Sequence, residues 1–438
     1  MNAFVKITIY FAVSWSALLL LCGCETTEPP NIILIVADDL GYGDLGCYGN
    51  LERNSPHLDQ LAEKGMRFTD FHANAPVCSP TRAAIITGWY QQRSGITGVV
   101  TAGKYREQGL DTAVTTLAKV LRQQGYQTAM FGKWHLGYDT LYSPLNHGFD
   151  KFRGFVSGNI DYHSHIDQAG EFDWWWGKTL KREPGYTTDL ITDHALEFIQ
   201  QYKDQPFFLF LSHEAPHYPY QGRADTADRR IGHPHPAYGS RTDQGEAYQE
   251  MITVMDEGIG QIITQLEEQG LAENTLIFFC SDNGATKVGS NTPLRGYKGE
   301  LWEGGHRVPA IAYWPGEIVH GTTNAKAMTM DLFPTFAEAA KAPLPDQLDG
   351  ISLLPLLTGK AEVLPERHLF WQFKEEVAIR KGPWKLIQSP EDTLLFNLRK
   401  DLSETNNLID LEIQMRDSLM HLLQKWEMEM AQYPVKTR

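Results

Sequence analysis

Cysteine is scarce: five in 438 residues, two of them, Cys22 and Cys24, within the first 24 positions. The other three, Cys47, Cys78 and Cys280, do not make the disulfide framework that holds small exported domains together, so stability must come from hydrophobic cores. Positive charge is also in deficit, with 39 Lys and Arg against 54 Asp and Glu and a formal charge of -15. Phosphate backbones are gripped by clustered cations, and this balance excludes a general nucleic-acid binder. No internal repeat or low-complexity tract is visible, which removes repeat architectures. A chain of this length can bury one large α/β domain and a smaller second one.

Residues 1–24 carry Lys6, an apolar run from Ile7 to Leu21 broken mainly by Thr8, Ser14 and Ser16, and then Leu21-Cys22-Gly23-Cys24. That is the layout of an export signal. Gly23 before Cys24 resembles a bacterial lipobox, cleaved ahead of a cysteine that then receives lipid. The expectation is an exported protein, in the bacterial periplasm or as an outer-membrane lipoprotein, touching membrane only through Cys24; a retained signal anchor or simple cleavage are the alternatives. Residues 25–30 would be a short tether.

Four apolar runs end in polar clusters. Asn31 to Ala37 stops at Asp38-Asp39; Gln127 to Phe131 runs into Gly132-Lys133-Trp134-His135; Phe207 to Leu211 precedes Ser212-His213-Glu214-Ala215-Pro216-His217; Thr275 to Cys280 precedes Ser281-Asp282-Asn283-Gly284. Continuous apolar runs fit parallel strands buried on both faces. Helical stretches lie between them, near Thr187 to Tyr202 and Gly245 to Gln269, and one that Asp111 would cap, with Val114, Leu117, Ala118 and Leu121 on one face and Gly125 as its stop. The predicted fold is α/β: a large, mostly parallel sheet flanked by helices on both faces over residues 31–346. All four polar clusters then share the carboxyl edge, where such sheets bind ligands. From about Gln347 the pattern changes to short strands at hairpin spacing, His368 to Phe373, Val377 to Arg380, Trp384 to Gln388 and Leu394 to Leu398. A helical stretch follows from about Asn407 to Ala431, so residues 347–438 read as a small antiparallel sheet plus helix.

At the shared edge, Asp38, Asp39, Asp282 and Asn283 would bring three carboxylates and an amide oxygen together. Such a cluster is repulsive unless a cation sits among them, and oxygen ligands select a hard ion such as Ca²⁺ or Mg²⁺. The stretch Cys78-Ser79-Pro80-Thr81-Arg82, continued by Ala83 to Ile86 and Thr87-Gly88-Trp89-Tyr90, is where a nucleophile would sit. Pro80 suits a first helical turn, so Cys78 stands at a helix N-terminus, an end that favours anions. Cys-x-Pro-x-Arg arises by chance in roughly one or two per cent of chains this long.

The stretch resembles the sulfatase signature, and the resemblance extends from Asn31 nearly to the C-terminus through Gly-Lys-Trp-His-Leu-Gly (Lys133, His135), Pro-His-Tyr-Pro (His217), Tyr-Lys-Gly-Glu-Leu-Trp-Glu-Gly-Gly (Lys298) and the closing Leu395-Phe396-Asn397-Leu398. It implies an alkaline phosphatase superfamily fold and a Cys78 oxidised by a formylglycine-generating maturation enzyme. It also implies Ca²⁺, with Mg²⁺ open, held by Asp38, Asp39, Asp282, Asn283 and the modified Cys78. In that reading a hydroxyl of the hydrated aldehyde attacks sulfur, and the alcohol leaves with a proton from His217. His135 takes the proton of the second hydroxyl as sulfate is expelled. Lys133 and Lys298 bind sulfate, Arg82 and Lys133 hold the formylglycine hydroxyls, and Ser157 adds a hydrogen bond.

The long insertion containing Asp161, His163 and Trp174-Trp175-Trp176 is expected on the rim, with Asp161 and His163 meeting the hydroxyls of a sulfated saccharide. A mostly buried role for the tryptophans is the alternative there. Three competing functions are a broad arylsulfatase, a phosphonate monoester or phosphodiester hydrolase of the same superfamily, and an inactive carbohydrate-binding surface lipoprotein.

Overall fold

The computed structural model describes residues 28–50, 54–102 and 107–433. The signal, Cys24 and the start of the tether lie outside them, and among the described residues no helix is long and apolar enough to cross a membrane. The strands in chain order are β1 (Asn31–Ala37), β2 (Met66–Phe68), β3 (Phe71–His72), β4 (Gln127–Lys133), β5 (Lys151–Phe155), β6 (Trp175–Trp176), β7 (Thr179–Leu180), β8 (Phe207–Ser212), β9 (Thr275–Ser281), β10 (Ala310–Tyr313), β11 (Gly321–Thr323), β12 (Ala327–Met328), β13 (Leu369–Phe373), β14 (Glu376–Lys381), β15 (Trp384–Gln388) and β16 (Thr393–Asn397).

Ten of them form one sheet in the order β11-β2-β10-β9-β1-β8-β4-β5-β6-β7. The central five, β9-β1-β8-β4-β5, are parallel. Successive residues of β1 face opposite cores: Ile32, Leu34 and Val36 pack on one side, Ile33, Ile35 and Ala37 on the other. This is why the run is apolar throughout rather than alternating, and burying each of the larger side chains contributes about 1.5–3 kcal/mol. One face is covered by helices that include Leu117–Gln123 and Leu332–Ala339, the other by Pro56–Lys64, Thr187–Tyr202 and Gln244–Glu268.

Several boundaries move from expectation. Strand β4 continues to Lys133, because Gly132 is left-handed (φ 102°) and so close to the Ser212 carbonyl that a Cβ there would lie 2.0 Å from it. The helix that precedes β4, Leu117–Gln123, is capped not by Asp111 but by Thr116, whose hydroxyl accepts from the Lys119 N–H at 3.3 Å. Asp111 instead closes a turn, accepting from the Ala113 N–H at 2.9 Å.

The C-terminal strands form an antiparallel meander, β13-β14-β15-β16, covered by the helix Ile413–Met430. That helix starts later than the sequence pattern predicts, because Asn407 is used to accept from the N–H groups of Leu395 and Ile409. The small core around Trp371, Ile379, Leu386 and Leu419 runs into Ala84, Leu301 and Met330 of the large unit.

Beside it lies a buried charge network. Arg380 grips Asp70 through two bonds of 2.6 and 2.7 Å, and Lys385 joins Glu303 at 3.0 Å to Glu404 at 2.9 Å. Removing one member of a buried pair leaves an uncompensated charge and costs about 3–5 kcal/mol. Lys385→Met is therefore expected to lower the thermal unfolding midpoint by several degrees, more than a substitution at exposed Lys400; an unchanged midpoint would show that the network is not holding the two units together.

Candidate active site

Register brings the four strand ends level. Val36 pairs with Ser212, Ala37 with Ser281 and Gly132 with Ser212, so Asp38-Asp39, Asp282-Asn283, Lys133 and the segment leading to His217 emerge on one edge. The helix Cys78–Thr87 points its first residue at the same place, and Gly88, left-handed at φ 69°, ends it. Asp39 (φ 63°) and His135 (φ 57°) are themselves left-handed, a conformation that costs roughly 1–3 kcal/mol at a non-glycine residue and persists where the surroundings over-determine it.

Charge balance is nearly one to one. Lys133 Nζ lies 2.5 Å from Asp38, Lys298 Nζ 2.6 Å from Asp39, and Arg82 holds Asp282 through Nε at 2.9 Å and Nη2 at 2.7 Å. Burial alone would raise the Asp38 pKa, yet the Lys133 ammonium, with His217, Arg82 and Lys298 around it, holds it well below the usual carboxylate range. Burial and the Asp38 charge then push Asp282 up to about 7, against the pull of Arg82 and Lys133. Within this set the buried oxygens Asp38 Oδ1 and Asn283 Oδ1 accept no hydrogen bond. Ligand atoms of Asp38, Cys78 and Asp282 lie within 4.8 Å of one another, as do those of Asp38, Asp39 and His217. A third such group, His72, Glu303 and His306, is already filled, since Lys385 Nζ sits 3.0 Å from Glu303 and 3.1 Å from His306.

Cys78 is buried, and burial raises its thiol pKa despite Lys133 and Lys298. It is a weak thiolate source at neutral pH. The two histidines are set as opposite tautomers. His217 Nδ1 donates to the Tyr218 carbonyl at 2.6 Å, leaving Nε2 facing Asp39 at 3.7 Å; His135 Nε2 donates to the Val100 carbonyl at 2.9 Å, leaving Nδ1 without a partner. Burial lowers both, His217 to about 4.

These groups border a cavity of about 400 Å³ to which Cys78, His135, Ser157, His217 and Lys298 contribute. The Ser157 hydroxyl is spent on the Asn159 carbonyl at 3.1 Å. Arg82 faces the carboxylates rather than the cavity, also bonding Ser212 and the Lys133 carbonyl.

Asp161 and His163 are not at the cavity, which corrects the expectation for them. The Asp161 carboxylate is fully buried and saturated by the N–H groups of His163, Ser164, Asp228 and Arg229 and the Gln221 amide, so it ties loops together. The His163 ring donates to the Gly222 carbonyl at 3.1 Å and lies against Tyr186. Trp174 is core, stacked on His165, and Trp176 carries the Arg153 guanidinium 4.0 Å from its ring. The walls come instead from Val99 to Ala102, Tyr138, Asn159, Asp167 and Tyr218. Of these, Tyr218 alone falls in a motif, Pro-His-Tyr-Pro; Val99 to Ala102, Tyr138, Asn159 and Asp167 carry none.

Residues 30–342 match the sulfatase family model, and residues 297–432 match the one described as N-sulphoglucosamine sulphohydrolase, C-terminal. The chain belongs to the sulfatase family. Arylsulfatase A of Bos taurus is 33% identical to this sulfatase over 95% of this chain and 90% of its own. N-acetylgalactosamine-6-sulfatase of Sus scrofa is 35% identical over 82% of this chain and 72% of its own. In three dimensions the sulfatase is similar to the crystal structure of Ps i-CgsB in complex with k-i-k-neocarrahexaose, with a TM-score of 0.82 and 28% identity, covering 91% of this chain and 93% of that one.

One glycine of the sulfatase is decisive locally: a Cβ on Gly158 would lie 2.9 Å from His135 Nε2. Gly158→Ala should displace that imidazole and cut turnover on the order of ten- to a hundredfold, with the thermal midpoint nearly kept. Full turnover in the variant would show that the position of His135 is immaterial to catalysis.

Proposed function

We propose that this sulfatase removes sulfate from a sulfated carbohydrate, using formylglycine at position 78 and a divalent cation. The observation that carries the proposal is Cys78 at a helix N-terminus, buried between the Asp38-Asp39-Asp282 carboxylates and the Lys133 and Lys298 ammonium groups, where its thiol is disfavoured as an anion. A hydrated aldehyde at this position would supply one hydroxyl to attack sulfur and a second whose deprotonation releases sulfate, which a thiol does not offer.

The residues present fit a hard cation. Asp38, Asp39, Asp282 and Asn283 offer oxygens, two of them buried with no hydrogen-bond donor, and Ca²⁺ with Mg²⁺ as alternative suits such a set. When bound, the ion would keep the attacking hydroxyl deprotonated and draw on a sulfate oxygen. The chain's own groups do the rest. Lys298 and Lys133 can turn from Asp39 and Asp38 to the sulfate oxygens, where they offset charge that grows in the transition state. An anionic ester beside His217 raises its proton affinity, and its free Nε2 faces the reacting groups to protonate the departing oxygen. His135 Nδ1, an acceptor without a partner, is available for the proton given up as sulfate leaves.

The carbohydrate reading is supported by the name of the Sus scrofa relative and by the oligosaccharide in the structural neighbour. We extend the proposal to export as a lipoprotein anchored at Cys24, on the strength of Leu21-Cys22-Gly23-Cys24. Two outcomes test the chemistry. In protein from its native host, the peptide containing position 78 should be about 18 Da lighter than its thiol form by mass spectrometry; active enzyme bearing only unmodified Cys78 would overturn the mechanism. Cation affinity should also depend on pH. Because burial and the Asp38 charge push the metal-free Asp282 carboxyl well above the usual carboxylate range, at lower pH an incoming Ca²⁺ must displace its proton. Affinity measured by calorimetry should fall roughly tenfold per unit as pH drops from 6.5 to 5.5 and level off above 8; a flat profile contradicts direct Asp282 ligation.

A further inference from the structure

The cavity over Cys78 is lined by two chemically unlike sets of groups. One is cationic, with Lys298 at its edge and Lys133 behind; the other is a wall built by the excursion between β5 and β6. That excursion folds back on itself, with isolated bridges pairing Ile160 with Asp167 and Ile166 with Phe172. The fold-back sets Asn159 and Asp167 into the wall together, although they are far enough apart in sequence to carry no joint motif.

Both side chains are buried, Asn159 at 8% and Asp167 at 3% exposure, and both offer acceptors. Asn159 Oδ1 has no hydrogen-bond partner. Leaving a buried acceptor unsatisfied costs about 1–3 kcal/mol, and such a group is accounted for when a ligand donates to it. Asp167 uses Oδ1 on the Glu171 N–H at 2.8 Å, and an ionised carboxylate retains further acceptor capacity.

The wall is rigid from behind. Glu214, three residues before His217, accepts from the Ile160 N–H at 2.6 Å, and Arg229 donates to the carbonyls of Asn159 at 3.4 Å and Ile166 at 3.3 Å. The segment that positions the leaving-group acid thus also positions Asn159. Val99, Val100 and Ala102 add apolar lining of the kind that packs against ring C–H groups.

We propose that Asn159 and Asp167 determine specificity for the leaving group: they accept hydrogen bonds from free hydroxyls on the sugar ring that carries the sulfate ester, and Asp167 disfavours a second anionic substituent on that ring. The proposal rests on the carbohydrate reading above and narrows it to a ring with one sulfate and neighbouring hydroxyls. A flat aryl sulfate would engage the cationic groups and leave the acceptors unpaired, the situation in which a polar site discriminates most strongly.

The test compares Asn159→Ala and Asp167→Asn with the mature wild-type enzyme on a mono-sulfated galactoside, the same galactoside with a second sulfate, and 4-nitrophenyl sulfate. Asp167→Asn keeps the acceptor that Glu171 needs, so the loop is retained. The ratio of kcat/KM for the mono-sulfated galactoside to that for 4-nitrophenyl sulfate should fall by roughly tenfold or more in Asn159→Ala. In Asp167→Asn the preference for the mono- over the di-sulfated ring should shrink by a similar factor. Equal losses on all substrates, or unchanged ratios, would overturn the specificity role while leaving the carbohydrate reading intact. A wild-type enzyme that cleaves 4-nitrophenyl sulfate but no saccharide sulfate would overturn that reading, and this proposal with it.

Discussion

Three carboxylates packed side by side at the end of a sheet are the constraint on which the rest of this structure depends. Asp38, Asp39 and Asp282 are essentially removed from water, where an ionised carboxylate without a partner is untenable. Each is matched by a cation from a different part of the chain: Lys133 at the end of β4, Lys298 from the loop after β9, and Arg82 one turn into the helix that starts at Cys78. Satisfying these charges fixes where those three elements lie. The same ammonium groups that neutralise the carboxylates are the ones a sulfate ester would meet.

The buried charges are also unequal, and the inequality is useful. Lys133 keeps Asp38 ionised, whereas Asp282, carrying the repulsion of its neighbour as well as burial, sits near neutrality in its proton affinity. Two buried oxygens of the cluster, Asp38 Oδ1 and Asn283 Oδ1, are left without donors even after each carboxylate has its cation. The C-terminal sheet reaches this centre indirectly. Lys385 binds Glu303, which opens the short helix just after the Lys298 loop, so the second unit braces a loop that delivers a cation to the site.

Much of the centre was legible in the sequence because its signals are local. A strand buried on both faces has to be apolar throughout, so the abrupt polar residues after Ala37, Leu211 and Cys280 mark strand ends, and parallel pairing puts such ends on one edge. Pro80 marks a first helical turn in the same local way. Boundaries slipped where a tertiary contact outweighed the local signal: Gly132 stays in β4 because the Ser212 carbonyl approaches it, and Thr116, whose hydroxyl also donates to the distant His147 carbonyl, takes the capping role while Asp111 closes a turn.

The insertion after β5 shows the opposite case. Composition alone made Asp161, His163 and the tryptophans candidates for sugar contact, but an acid that faces four backbone N–H groups and an acid that faces a cavity have the same letter in the sequence. Which one lines the cavity depends on the pairing of Ile160 with Asp167 and on Glu214 and Arg229 fixing that turn from behind. The sequence by itself determined the apolar strands, the helix N-terminus bearing Cys78 and the acidic cluster at the strand ends, because periodicity and strand burial are short-range properties; the cations Arg82, Lys133 and Lys298 were assigned through the resemblance of their motifs to the sulfatase family. Only the tertiary structure decided how the charges pair, which ring nitrogen each histidine leaves free and which acceptors face the cavity, because those depend on contacts between segments far apart in the chain.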